Sequence, residues 1–223
     1  MVETNKKMPI LGFYGYWVIL TYMSVVSSIV GIYFSFGGNV KAAMVCLIIS
    51  GICDMFDGRV ASFAKRSKLE KNFGIQIDSL ADVISFGVFP TIMGYSIYIH
   101  HTALSGNTWC TIGTMAILTL YTLAALIRLA YYNVTEEELQ NNQEKRKHYD
   151  GLPVTTAALI IPLIYSICIY FKLHLYGVYM ATLTLMALAF VAKIKIPKFK
   201  IRTLIIIGAI ALLLVGYVFL GGV

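Results

Sequence analysis

Four of the chain's eleven acidic residues, Asp54, Asp57, Asp78 and Asp82, stand at the ends of otherwise apolar stretches. The first two are spaced i, i+3 and the second two i, i+4, so on helices each pair presents both carboxylates on one face. An ionised carboxylate beside hydrocarbon is costly unless it is paired or coordinates a cation, and four together call for positive charge. Oxygen-only ligation, without His or Cys nearby, selects hard cations such as magnesium, manganese or calcium, and four acids can hold two of them alongside phosphate. Two ions in one site serve phosphoryl chemistry. The competing structural reading is ordinary interfacial ion pairing with Arg59, Lys65 and Arg66.

The elements that must position these acids are membrane helices. The 223 residues are 58% hydrophobic and only 13% charged, which excludes an ordinary soluble domain. Seven stretches, roughly 14–36, 40–58, 76–99, 108–132, 153–171, 175–192 and 203–220, are long and apolar enough to cross a hydrocarbon core of about 30 Å. Lipid leaves no water for unpaired backbone groups, and no alternating ten-residue pattern of a barrel occurs. The expected fold is therefore all-α, a polytopic transmembrane helical bundle of about seven spans forming one integral membrane domain over 1–223. The first apolar run lacks a small-residue cleavage site and is expected to remain as a span.

Fifteen of the eighteen lysines and arginines fall at Lys6–Lys7, Arg59–Lys71, Lys145–Lys147 and Lys193–Arg202, which places those segments and the amino terminus in the cytoplasm and Val223 outside. The net charge of +7 is accounted for by this topology and by anionic headgroups, so no nucleic-acid partner is expected; membrane lipids are. Cys46, Cys53, Cys110 and Cys168 have no CxxC spacing and indicate neither disulfides nor zinc. His100, His101, His148 and His174 lack acid partners at useful spacing. Two loops, 59–75 and 133–152, carry most of the polar sequence. In the second, Thr135 is expected to cap a short interfacial helix opening on Glu136, Glu137 and Glu138.

Gly58 directly after Asp57, Ala61 one turn later and Gly74 four residues before Asp78 are small residues that let a ligand approach the backbone. Taken together, DMFDGRVA at 54–61 and GIQIDSLAD at 74–82 resemble the DxxDGxxAR…GxxxDxxxD signature of the CDP-alcohol phosphotransferase family of membrane enzymes. Asp54, Asp57, Gly58, Ala61, Gly74, Asp78 and Asp82 match. Ser62 occupies the arginine position, and the interval from Ser62 to Gly74 is about three residues longer than the family's, with Lys65, Arg66, Lys68 and Lys71 available to replace the arginine. The resemblance implies a six-helix core, here with an extra C-terminal span, and a catalytic region at about 40–160. It further implies transfer of a phosphatidyl group from CDP-diacylglycerol to an alcohol with loss of CMP, using two divalent cations, Mg2+ or Mn2+. Carried over residue by residue, Asp54, Asp57, Asp78 and Asp82 ligate metal, Asp57, Gly58, Ala61 and Gly74 line the CDP-lipid site, and Asp82 is also the catalytic base.

The contexts DSLADVISFGVFP at 78–90, IRLAYYN at 127–133 and GLPVTTAA at 151–158 are most similar to the branch of that family whose acceptor is serine. On that resemblance Arg128 is a candidate for holding the acceptor's carboxylate and Asn133 its amine or hydroxyl. The alternative for Arg128 is a snorkelling arginine that sets orientation. The resemblance leaves open glycerol 3-phosphate, inositol or inositol phosphate as the acceptor, and from the burial of the acids a cation transporter is the rival of another class. A homodimer is expected, with the last span as an interface or an anchor.

Overall fold

Two glycines and an asparagine make the first hairpin. The computed structural model describes residues 12–104, 106–141, 148–197 and 216. In it, helix α1 (Ile19–Phe36) stops at Gly37, and Gly38 turns the chain at φ +71°, a backbone state glycine adopts without steric cost. Asn39 then starts α2 (Val40–Ser62), its side chain accepting the Ala42 N–H at 3.0 Å. The two helices lie along one another, and the contact is close because Gly31 leaves room for Phe89 and Cys46, which a Cβ would strike.

A five-residue turn, 63–67, leads to α3 (Lys68–Asp82), which Ser67 and Glu70 open with a capping box: the Ser67 side chain accepts the Glu70 N–H and the Glu70 carboxylate accepts the Ser67 N–H. Both helices therefore run further than the apolar stretches predicted, and most of the expected loop 59–75 is helical. Hydropathy marks where lipid ends, and helix geometry continues past it wherever the residues are good helix formers or a cap is present.

After Asp82 the chain widens into a π turn, Val83–Val88, and continues as α4 (Phe89–His100). Pro90 lacks an N–H, so the α-type donor to the Phe86 carbonyl four residues earlier is missing; the Tyr121 hydroxyl donates to Phe86 O at 2.7 Å. Helix α5 (Thr108–Asn141) crosses the whole bundle without a break. The expected separate helix capped by Thr135 does not form. The Thr135 hydroxyl instead donates back to the Tyr131 carbonyl at 2.8 Å, as threonine does inside a helix, and the following Glu-rich sequence propagates α5.

The polypeptide returns as β1 (His148–Asp150), enters α6 (Ala157–Tyr170) through a 3-10 turn at Val154–Thr156, and crosses again as α7 (Leu175–Val191). After α7, β2 (Lys195–Pro197) pairs antiparallel with β1, His148 opposite Pro197 and Asp150 opposite Lys195. This short ladder joins two connecting segments and leaves the architecture all-helical as expected; three-residue strands carry no periodicity that a sequence can reveal.

Tyr16–Phe36, Lys68–His100 and Thr108–Glu138 are long and apolar enough to cross a membrane, and Val154–Tyr170 and Leu175–Val191 are shorter apolar helices. Helix α2 has comparable length but carries Lys41, Asp54, Asp57 and Arg59. The predicted last stretch, 203–220, lies outside the described residues apart from Gly216. Large apolar side chains such as Tyr33, Leu120, Leu185 and Leu188 point outward, whereas Ser24, Ser28, Ser50 and Ser85 are buried. Apolar outside with hydroxyls inside suits a helical bundle whose solvent is lipid. A packed core of Met44, Leu47, Phe86, Phe89, Met93 and Tyr121 holds the middle together.

Candidate active site

The site lies where the end of α2 meets α3. Helix geometry alone brings Asp54 and Asp57 to one face of α2, and Asp78 and Asp82 to one face of α3; the turn at 63–67 folds the two faces together. Carboxylate oxygens of Asp54, Asp78 and Asp82 all lie within 4.8 Å of one another. Asp57 is buried, 7% exposed, and meets Asp78 carboxyl to carboxyl, as Asp54 meets Asp82. Like charges so close repel, and a cation among them removes the repulsion. The donor set fits a hard divalent ion: with bonds of about 2.1 Å, opposite ligands of an octahedral ion stand about 4.2 Å apart, near the span of these three oxygens.

Helix α1 adds two residues that the sequence did not single out. Thr21 donates from its hydroxyl to an Asp57 carboxylate oxygen at 3.1 Å. Trp17, just before α1, lies under the guanidinium of Arg66, 5.2 Å from the ring centroid. Neither carries a signal of its own in an apolar stretch; only packing on α2 and α3 brings Thr21 to Asp57 and Trp17 to Arg66 and Gly74.

The small residues of the motif differ in surroundings. A Cβ on Gly58 would meet nothing within 4 Å, so the chain beside Asp57 is open to a ligand. Ala61, one turn on, is partly exposed. At Gly74 the missing side chain makes room for protein groups, since a Cβ there would lie 3.1 Å from Arg66 Nη1 and 3.2 Å from Trp17 Cζ3.

Arg128 and Asn133 are separated. Five residues apart on α5, they point about 140° away from each other. Asn133 donates to the Ser79 hydroxyl at 2.8 Å, beside Asp78. Arg128 is buried, donates from Nε to the Leu152 carbonyl at 3.1 Å, and lies 5.0 Å over the Tyr132 ring. It thereby fastens the segment entering α6, and Gly151 explains the rest of that segment. Its φ of +77° and its approach to the end of α7, where a Cβ would stand 2.6 Å from the Phe190 carbonyl oxygen, leave no place for a side chain.

Fold and site together describe a helical membrane protein with a cluster of carboxylates whose oxygen donors suit a hard cation. The sequence profile of the CDP-alcohol phosphatidyltransferase family matches residues 18–222. The chain belongs to this family of phosphatidyl-group transferases, and the match begins at the start of α1. Among individual relatives, it is 37% identical to the CDP-diacylglycerol–serine O-phosphatidyltransferase of Saccharomyces cerevisiae over 124 residues, 54% of this chain and 40% of the yeast protein. It is 30% identical to the protein of the same name from Helicobacter pylori over 198 residues, 86% of this chain and 76% of that one. It is also 29% identical to the archaetidylserine synthase of Methanothermobacter thermautotrophicus over 168 residues, 75% of this chain and 65% of that one. The chain thus spans less than half of the yeast relative and about three quarters of the Helicobacter one.

Proposed function

We propose that this protein transfers the phosphatidyl group of CDP-diacylglycerol to the hydroxyl of serine, giving phosphatidylserine and CMP. The observation that carries the proposal is the convergence of the aspartates of α2 and α3 on one cation-sized centre. Serine as the acceptor is supported by the names of the relatives, which share it although the archaeal one names a different lipid.

Asp54, Asp57, Asp78 and Asp82 would hold two divalent cations, Mg2+ or Mn2+. When bound, these supply positive charge that neutralises the diphosphate and the leaving CMP. The residues of the chain do the rest. Asp82 accepts the proton of the serine hydroxyl as its oxygen attacks the phosphorus bearing the diacylglycerol. The bond from that phosphorus to the bridging oxygen breaks, and CMP departs with the electron pair. Thr21 holds the Asp57 carboxylate in one orientation through its hydrogen bond. The open backbone at Gly58 and the small side chain of Ala61 would admit the nucleotide, and Gly74 leaves room for Arg66 and Trp17 beside it. Asn133, tied to Ser79 next to Asp78, would read the acceptor's amine or hydroxyl, and Arg128 orders the segment entering α6. The basic residues at Arg59–Lys71, next to the site in the sequence, support a site and an amino terminus on the cytoplasmic side.

The test supplies purified protein with CDP-diacylglycerol, Mg2+ or Mn2+, and separately labelled serine, glycerol 3-phosphate or inositol, and follows CMP release and lipid product. Metal-dependent product with serine alone is expected. Product with another alcohol would overturn the acceptor, and no product with any of them would overturn the reading.

A further inference from the structure

The turn between α2 and α3 holds an arginine that the four aspartates do not explain. Arg66 stacks on Trp17, with its guanidinium carbon 5.2 Å from the ring centroid, and its Nε is buried with no hydrogen-bond acceptor. Its Nη1 rests in the niche left by Gly74. A buried donor without an acceptor pays for its own desolvation, so the buried Nε of this half-buried side chain points to an acceptor that arrives from outside.

Placement says what that acceptor is. Gly74, Asp78 and Asp82 follow at i, i+4 and i+8, so Gly74, against which Nη1 rests, lies on the carboxylate-bearing face of α3, one turn or about 6 Å of helix rise before Asp78. Glu70, whose carboxylate accepts the Ser67 N–H at 2.7 Å, is close enough to feel the charge of Arg66 but gives Nε no acceptor. Trp17 stands under the guanidinium at 5.2 Å, and a planar cation of this kind suits a two-point contact with phosphate oxygens. Ser62, four residues earlier, is exposed and spends its hydroxyl on the Arg59 carbonyl at 2.6 Å.

We propose that Arg66, held by Trp17 and seated over Gly74, binds the diphosphate of the nucleotide-lipid substrate, doing from the lengthened turn what Ser62 cannot. This rests on the phosphatidyltransfer reading above. The extra residues between Ser62 and Gly74 let an arginine approach the site from the turn side instead of from the end of α2.

The experiment uses the full chain in phosphatidylcholine nanodiscs. The protein has two tryptophans, so Trp109→Phe leaves Trp17 as the single emitter beside Arg66. Titration with CDP in the presence of Mg2+ is expected to change Trp17 fluorescence saturably. Arg66→Gln should weaken CDP binding, and raise KM for CDP-diacylglycerol, about 10- to 100-fold, the size of a lost charge-assisted contact, with KM for serine unchanged. Arg66→Lys, which keeps the charge and the fold but loses the fork, should show a smaller rise in the same constant. Unchanged CDP affinity in both variants, a rise confined to serine, or a fluorescence response to added phosphatidylglycerol without one to CDP would each overturn the proposal. Lipid product from the unmodified chain is the separate arm that tests the underlying reading, so the two failures are distinguishable.

Discussion

Replacing Thr21 with valine removes one hydroxyl and keeps the side chain's shape. That hydroxyl donates to Asp57 at 3.1 Å, and both residues are buried, 4% and 7% exposed, so water cannot stand in for the donor. A hydrogen bond to a charged group is worth about 1.5–3 kcal/mol, and every 1.4 kcal/mol or so is tenfold in an equilibrium constant. If the bond serves to aim Asp57 at a cation, that energy appears as an increase of about 10- to 100-fold in the half-saturating metal concentration, the range seen when an orienting partner of a metal ligand is lost. The assay is product formation across a Mn2+ titration at saturating CDP-diacylglycerol and serine, with thermal stabilisation by Mn2+ as a second reading that needs no turnover. Thr21→Ser, which restores the donor, should recover most of the affinity. A Thr21→Val protein with unchanged metal dependence in both measurements would refute the role assigned to α1, whatever its effect on overall stability.

Two other outcomes follow from the same geometry. Asp82→Asn keeps the size of the side chain but cannot accept the proton, and turnover is expected to fall by about 100-fold or more in the lipid-product assay; full turnover would remove Asp82 as the base. Gly151→Ala asks an L-residue to hold φ +77° with its Cβ against the Phe190 carbonyl, so the thermal midpoint should drop by several degrees, corresponding to about 2 kcal/mol, with KM for either substrate little changed in the protein that remains folded.

The pairing of the aspartates was legible because i, i+3 and i, i+4 spacings are properties of one helix and need no tertiary knowledge. The meeting of the two pairs was legible only in outline, from the expense of leaving four acids near lipid. The ends of the elements were misread for one physical reason: hydropathy reports the lipid boundary, while α2, α3 and α5 extend beyond it on caps and helix-forming polar residues. Thr135 shows the ambiguity well, since a threonine before three glutamates suits a cap, yet in an uninterrupted helix the same hydroxyl turns back to Tyr131. Thr21, Trp17 and the unpaired Nε of Arg66 were invisible for a different reason. Each depends on which helix packs against which, and a hydroxyl or an indole in an apolar stretch gives no sign of its neighbour.

The buried serines connect these observations. Ser24 of α1 lies 2.6 Å from Ser50 of α2, and Ser28 of α1 donates to Ser85 of the π turn at 2.8 Å. Ser50 stands two turns before Asp57, and Ser85 three residues after Asp82, so α1 grips both aspartate-bearing segments just below the site. Each such bond between membrane helices contributes only about 0.6 kcal/mol on average, which is little for stability. Its direction matters more. A one-residue turn of α2 or of the π segment, about 100° for an α-helix, would break the serine contact and swing Asp57 or Asp82 off the shared centre at once. The π turn sharpens this: its i→i+5 bonding, from the Phe89 N–H to the Ile84 carbonyl, takes up one residue more than an α turn. Asp82 can therefore face the carboxylates while Ser85 reaches α1, and Phe86 can enter the core. The seam of hydroxyls is thus a device for fixing helix rotation, and rotation is what an arrangement of four carboxylates on two helices requires.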